Sequence, residues 1–226
     1  MSASAKCATQ KACRLSAIEL LEDEHKLIIR MVNLLPTIRR RIEEGELLPE
    51  ALMTVVDFFH VYADKSHHAK EEEVLFPILV KRGVRLIGCP IGTLRNEHDQ
   101  GRTLMKALDN AVQRHIEGDP DAKKQIAAYL KSATAFYIDH IWKEDFLLFP
   151  MSRKVLKDSD EEELRKEFIG VDAKLGHRFQ EEYHYHVSRL ETFLNGDEKT
   201  HHPRGPHTRA EEPVHLISKL EEILRV

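Results

Sequence analysis

The sequence predicts an all-α protein: an antiparallel four-helix bundle built from two duplicated helical hairpins, with extra C-terminal helices. Three observations support this fold class. The 226 residues include few glycines and prolines (10 and 9) and are rich in helix-forming Leu, Glu, Lys, Ala and Arg. Apolar residues recur at three- and four-residue steps over long stretches, which is the spacing of one helix face. The sequence also matches itself when it is shifted by 73 positions.

The first helix is expected from Ser16 to about Glu44. Ser16 is followed three residues later by Glu19, which is the arrangement of a capping box. Pro36 lies inside the helix and is expected to kink or split it. Gly45 is the signal that ends it.

Three further helices follow after short connections. They are expected from about Pro49 to Arg82, from about Thr93 to Ile116, and from Asp119-Pro120 to about Lys157. Pro77 and Pro150 lie late in the second and fourth helices and are expected to distort them. Long helices joined by short loops pack most naturally as an antiparallel bundle.

A fifth helix is expected from Asp160 to Phe193, and a short amphipathic helix from Val214 to Val226. The pattern therefore predicts four parts of the chain. They are a flexible segment (1–15), the four-helix bundle (16–158), an accessory helix packed on the bundle (159–195), and a linker with the short C-terminal helix (196–226).

Charge and composition exclude several classes of function. A formal net charge of -4 argues against a generic nucleic-acid surface. No segment approaches the ~18 uncharged apolar residues of a membrane helix, and the opening residues have no apolar run typical of a signal peptide. The odd number of cysteines (Cys7, Cys13 and Cys89) suggests free thiols in a reducing compartment. We expect a soluble, cytoplasmic protein, and the sequence gives no indication of its oligomeric state.

The internal repeat places the same ionisable residues in both halves of the bundle. The shift superimposes three pairs: His25 on His98, His67 on His140, and Glu71 on Glu144. The requirements of packing alone explain why duplicated hairpins have leucines and turn glycines at matching positions. Packing does not select buried ionisable groups, which cost several kcal/mol each unless they are paired or bound to metal.

These residue types in this spacing predict a metal site. His67 and Glu71 are four residues apart and therefore lie on one helix face, as do His140 and Glu144. Four imidazoles and two carboxylates in a bundle core suit iron, manganese or zinc. They suit a pair of ions best, with two histidines on each ion and both glutamates bridging. The His-Glu-x-x-His motif of zinc proteases and the Glu-x-x-His motif of ferritin-like sites are both absent.

The sequence resembles the hemerythrin-like (HHE cation-binding) family. The matching segments are Glu24-His25, HHAKEEEVLFP ending at Pro77, NEH ending at His98, and HIWKEDFLLFP ending at Pro150, within roughly residues 16 to 190. The resemblance implies a four-helix bundle with a non-haem di-iron centre whose two irons share oxo or hydroxo and carboxylate bridges. Zinc and manganese remain alternatives. The resemblance implies His25, His67, His98 and His140 as terminal ligands, and Glu71 and Glu144 as bridges.

The chain departs from the oxygen-carrying members of that family on the third helix. Those members have His-x-x-x-His there, whereas Arg102 stands four residues after His98. This difference argues against plain reversible oxygen carriage. Two residues are candidates for the missing ligand: His68, which points about 100° away from His67 on an ideal α-helix, and His184, which the fifth helix would have to bring to the bundle. Glu24, Glu72, Glu97 and Asp145 adjoin the ligands and could accept an imidazole N–H or lie on a solvated face.

Three functions are compatible with this site. The leading one is binding of dioxygen or a related small ligand, such as peroxide or nitric oxide, at the metal pair. The second is an enzyme that consumes peroxide or nitric oxide or donates iron for iron–sulfur repair. The third is a sensor of oxygen, redox state or iron. No general acid or base can be named from the sequence, so whether the protein is an enzyme stays open.

Overall fold

The structure, a computed structural model, describes residues 15–196. Within that range the chain forms six helices and no strands, so the prediction of an all-α helical bundle is confirmed. The predicted flexible N-terminus with Cys7 and Cys13, and the predicted linker and C-terminal helix after residue 196, lie outside the described residues.

Helix α1 spans Ala17–Glu43 and begins with the predicted capping box. The Ser16 side chain accepts a hydrogen bond from the Glu19 backbone N–H, and the Glu19 carboxylate accepts one from the Ser16 backbone N–H. The helix is continuous through Pro36, so the expected split does not occur. Gly45 follows the helix with φ 105°, a conformation that glycine adopts readily.

Helix α2 begins at Pro49, as predicted, but it changes its hydrogen-bonding pattern along its length. It is α-helical over Pro49–Asp57, π-helical over Phe58–His68 and Lys70–Leu75, and α-helical again over Phe76–Lys81. A π-helix bonds each N–H to the carbonyl five residues back, and π-helical turns within α-helices are frequently found at functional sites. The sequence analysis did not predict these π-helical stretches.

Helices α3 and α4 complete the set of four. Helix α3 spans Ile91–Ile116, and α4 is α-helical over Ala122–Lys143, π-helical over Glu144–Leu148 and α-helical over Phe149–Val155. The π-helical parts of α2 and α4 end just before Pro77 and Pro150. A proline cannot donate the α-helical hydrogen bond, so the predicted distortion of both helices occurs directly before these residues.

The prediction of one fifth helix from Asp160 to Phe193 is wrong. The chain forms α5 over Asp158–Leu175 and α6 over Phe179–Leu194. Gly176 separates them with φ 145°, which side-chain-bearing residues rarely adopt. We call α5 and α6 together the accessory hairpin.

The helices share one apolar core that includes the accessory hairpin. Helix α4 packs against α1 and α3, α3 also contacts α2, and α5 and α6 pack on α2 and α1 respectively. One cluster joins Leu21 of α1, Phe76 of α2, Leu94 of α3, Phe149 of α4 and Phe168 of α5. Burial of each such side chain stabilises the fold by about 1.5–3 kcal/mol.

The sequence predicts free thiols and no membrane-spanning helix. Cys89 is exposed and forms no disulfide. Among the helices between residues 15 and 196, none has an apolar stretch long and uncharged enough to cross a membrane.

Candidate metal centre

The six residues that the repeat singles out meet in one buried cluster between four helices. Helix α1 contributes His25, α2 contributes His67 and Glu71, α3 contributes His98, and α4 contributes His140 and Glu144. Each of these side chains is at most 2 % exposed. The Nε2 atoms of His25 and His67 lie only 2.9 Å apart.

Glu144 lies between two histidine pairs. Its Oε2 atom is 3.1 Å from Nε2 of His25 and 4.0 Å from Nε2 of His67. Its Oε1 atom is 3.1 Å from Nε2 of His140 and 3.4 Å from Nε2 of His98. The two oxygens therefore face different pairs, which is the arrangement of a carboxylate that can bridge two cations.

Glu71 has the same relationship to the two sides of the cluster. Its Oε1 atom is 4.0 Å from Nε2 of His67, and its Oε2 atom is 3.3 Å from Nε2 of His98. Among the described residues, neither oxygen of Glu71 has a hydrogen-bond partner, nor do Oε2 of Glu144 and Nε2 of His140. Because an unsatisfied buried polar atom costs about 1–3 kcal/mol, this donor set fits metal ions that would bind these atoms.

His68 joins the same cluster. It is 3 % exposed, and its ligand atoms lie within 4.8 Å of those of His98 and His140. His184, by contrast, is exposed on α6 and is not in any of the three groups of candidate metal ligands found among the described residues. The structure therefore brings one of the two candidate extra ligands to the centre.

His67 and His68 lie in a part of α2 that is not α-helical. Neighbouring residues of an α-helix are about 100° apart around the axis, which would direct His68 away from the side of His67. Both residues end the π-helical stretch Phe58–His68. A π-helix has more residues in each turn, so neighbouring side chains are closer in angle.

A carboxylate lies beside the outer nitrogen of each of the four repeated histidines, as the sequence analysis suggested. The Nδ1 atoms are 2.7–3.0 Å from a carboxylate oxygen in four pairs: His25–Asp145, His67–Glu24, His98–Glu72 and His140–Glu97. A histidine that donates Nδ1–H to a carboxylate keeps its Nε2 lone pair for a metal. The four pairs also recur at positions 73 residues apart.

The charges of the cluster favour cations at its centre. Burial would lower the pKa of His25, but the hydrogen bond to Asp145 and the negative charge of Glu144 raise it to about 10. Burial likewise opposes the protonation of His140, and the negative charge of Glu144 raises its pKa to about 9. His68 is the exception, because burial and the neighbouring histidines lower its pKa. Its imidazole is therefore neutral and has a lone pair to offer.

Sequence reasoning missed the role of Lys70, which is only 2 % exposed. Its ammonium group contacts Glu24 and lies 2.6 Å from Asp172 of α5. Burial would lower the pKa of Lys70, but the charges of Glu24 and Asp172 raise it, so the side chain is a buried cation. The signal was present in the repeat, because the shift of 73 positions places Lys70 on Lys143.

Arg102, four residues after His98 on α3, forms ion pairs with acidic residues of α2. Its guanidinium lies 2.8 Å from Asp64 and 2.5 Å from Glu72. Glu72 is the carboxylate beside His98, and Asp64 lies 3.4 Å from Nδ1 of His68. Arg102 therefore fixes two outer partners of the cluster.

Comparison with known proteins agrees with this geometry. The family model for the hemerythrin HHE cation binding domain matches residues 16–152, more than half of the chain. Proteins named iron-sulfur cluster repair protein YtfE from Salmonella paratyphi B, Salmonella newport and Salmonella heidelberg are each 27% identical to it over 136 residues. These alignments cover 50% of this chain and 61% of each relative, so the chain spans about three fifths of their length. No solved structure matches the chain.

Proposed function

The chain belongs to the hemerythrin HHE cation-binding domain family, and from this premise we propose that it is a non-haem di-iron protein. It binds dioxygen or a related small ligand, such as peroxide or nitric oxide, at the metal pair. The observation that carries the proposal is the position of Glu144, whose two oxygens face different histidine pairs. The partnerless buried oxygens of Glu71 support it.

The proposed ligands divide into two sets around the bridging glutamates, Glu71 and Glu144. His25 and His67 would hold one iron, and His98, His140 and His68 would hold the other. Zinc and manganese also accept imidazole and carboxylate ligands, so the metal has to be identified by measurement.

The side of the cluster formed by His25 and His67 offers one histidine fewer than the side formed by His98, His140 and His68. These residues would therefore leave room for a small ligand on the side of His25 and His67. When bound, a pair of ferrous ions supplies two electrons to such a ligand.

The chain's own residues orient the donors and exclude water. Asp145 and Glu24 fix the rings of His25 and His67 through Nδ1. The ring of Phe149 stacks on His25 at a centroid distance of 5.3 Å. Its apolar face keeps solvent from this side of the cluster.

We extend the proposal to the organisation of the chain. Residues 16–158 form an antiparallel four-helix bundle of two duplicated hairpins, and residues 159–195 form an accessory unit on it. The duplication is supported by the histidine–carboxylate pairs that recur 73 positions apart.

Spectroscopy of the iron-loaded protein tests the proposal. The full chain is loaded with ferrous iron without oxygen, then exposed to air, and followed by optical and Mössbauer spectra. We expect two irons per chain and an oxo-bridged diferric signature after exposure. Two bound irons without any such signature would contradict the proposal.

A second candidate function is iron donation to damaged iron–sulfur proteins. It is favoured by the printed name of the relatives, which describes iron–sulfur cluster repair. Incubation of the iron-loaded chain with a cluster-depleted ferredoxin tests it. Cluster recovery faster than with the same concentration of free ferrous iron supports this function, and recovery at an equal rate argues against it.

A further inference from the structure

Lys70 and Lys143 occupy matching positions in the two halves of the metal centre, but their surroundings differ. Lys143 contacts Glu97, the partner of His140, and Asp139 from the previous turn of its own helix. These groups face solvent, since Lys143 is 27 % and Asp139 68 % exposed. Lys70 is the matching residue in the other half, and it is buried.

In the half that contains Lys70, helix α2 has no carboxylate equivalent to Asp139. The position that matches Asp139 is Ser66, a neutral residue 3.0 Å from the Lys70 ammonium group. The second carboxylate comes instead from Asp172 of α5, 2.6 Å from Lys70 and 2.6 Å from the Ser66 hydroxyl. The accessory hairpin therefore supplies to one half a charge that the other half carries itself.

Gln180 of α6 completes this network. Its amide nitrogen donates to Glu24 at 3.1 Å and to Asp172 at 2.9 Å. Its amide oxygen accepts from the hydroxyl of Tyr62 at 2.9 Å. Glu24 in turn contacts Nδ1 of His67 at 2.9 Å. A continuous chain of polar contacts thus runs from the accessory hairpin to a proposed metal ligand.

We propose that Asp172 and Gln180 are positioning residues of the metal centre, which hold Glu24 and Lys70 so that His67 presents Nε2 to its metal ion. Both residues lie beyond the region 16–152 that the family model matches. The accessory hairpin is therefore part of the metal centre, on its His25–His67 side. This inference rests on the proposed two-metal function.

The physical reason is the cost of an incomplete buried charge network. A buried lysine that loses one of its two carboxylates draws Glu24 toward itself, because no water is available to replace the missing partner. Glu24 then holds the His67 ring less firmly. Loss of such outer partners typically lowers metal affinity by about 10–100-fold.

Iron release to a chelator tests the inference on the full-length protein. Wild type and Asp172→Asn are loaded with two equivalents of ferrous iron under anaerobic conditions, and the release is followed by stopped flow. We expect one of the two equivalents to leave Asp172→Asn about 10–100-fold faster, with the other unchanged. The Mössbauer spectrum of the variant should show one altered iron site.

Two controls separate positioning from general destabilisation. Asp139→Asn removes the matching carboxylate on the solvent-facing side, where water can hydrate Lys143, and we expect wild-type release. Glu191→Gln removes the contact between α6 and Arg30 without touching the network, and we expect wild-type release again.

A second substitution that restores a carboxylate beside Lys70 gives the sharpest test. Ser66→Asp combined with Asp172→Asn returns the second carboxylate to the position it has in the other half, and we expect release close to that of wild type. If Asp172→Asn does not fold, Gln180→Met takes its place, with faster release of one equivalent expected. Release of both equivalents at wild-type rates, or equal acceleration of both, overturns the inference. A wild-type chain that never binds two metal ions instead contradicts the proposed function itself.

Discussion

The imidazole rings of His68 and His98 stack face to face, with centroids 3.9 Å apart and planes 11° apart. The two residues come from different helices, α2 and α3. His68 is buried there, and its lowered pKa leaves it neutral among histidines whose pKa values are raised. Its place beside His98 and His140 makes it the proposed fifth histidine of the centre.

The first prediction concerns His68 as a ligand. His68→Ala should weaken binding of one metal ion by at least the roughly 10–100-fold that loss of an outer partner costs, because a direct donor is removed. Iron titration under anaerobic conditions measures the effect. His184→Ala is the matched control, and it should bind iron as wild type does. Equal affinities for His68→Ala and wild type would remove His68 from the ligand set.

The second prediction concerns the bridging glutamates. Glu71→Gln and Glu144→Gln should each reduce bound iron from two equivalents to one or none, because an amide cannot bridge two cations as a carboxylate does. Glu73→Gln, on the exposed face of the same helix as Glu71, should keep both. Elemental analysis after gel filtration decides. Two tightly bound irons in either bridge variant would show that the glutamate does not bridge.

The fold and the six repeated residues could be predicted because each depends on a regular pattern. Amphipathic spacing and capping at Ser16 fix the helices, and the repeat selects His25 and its matches without any knowledge of the contacts. The π-helical stretch that ends at His68 has no such pattern in the sequence. The direction of His68 was therefore predicted for an ideal α-helix that does not exist there.

Two other features escaped prediction for different physical reasons. Gly176 has a positive φ and ends α5, whereas the apolar spacing on either side of it predicts one continuous helix. The contact of Lys70 with Asp172 joins residues far apart in sequence. Nothing in the local spacing of either residue indicates that contact, which exists only because α5 packs on α2.

The third prediction concerns the accessory hairpin as part of the core. Phe168 is 2 % exposed and belongs to the cluster that joins α1 to α4. Phe168→Ala should lower the free energy of unfolding by about 3–5 kcal/mol, because it leaves a cavity. Chemical denaturation followed by circular dichroism measures it. The neighbouring Ile169 is 64 % exposed, and Ile169→Ala should change stability by less than about 0.5 kcal/mol. A separate early transition for the hairpin in wild type would contradict a shared core.

The fourth prediction concerns acid stability at the junction of α2 and α5. Hydrogen bonds from Arg82 and from the Lys157 backbone lower the pKa of Asp160 from its ordinary 3.8 to about 2. The ionised carboxylate therefore stabilises the fold fully above pH ~4, and this contribution is lost as the pH falls toward 2. Asp160→Asn should melt at a lower temperature than wild type near neutral pH.

Melting curves of both proteins between pH 2 and pH 7, with a chelator present throughout, test this dependence. The difference between the two melting temperatures should shrink below pH 4 and vanish near pH 2. A difference that stays constant across the range would show that Asp160 stabilises the junction without its charge.

The most direct test of the central claim is a crystal structure of the natively expressed chain, with anomalous scattering recorded on both sides of the iron absorption edge. The account predicts two iron peaks between Glu71 and Glu144, one beside His25 and His67 and the other beside His98, His140 and His68. A single peak, peaks that follow the zinc or manganese edge instead, or iron bound away from these residues would contradict it.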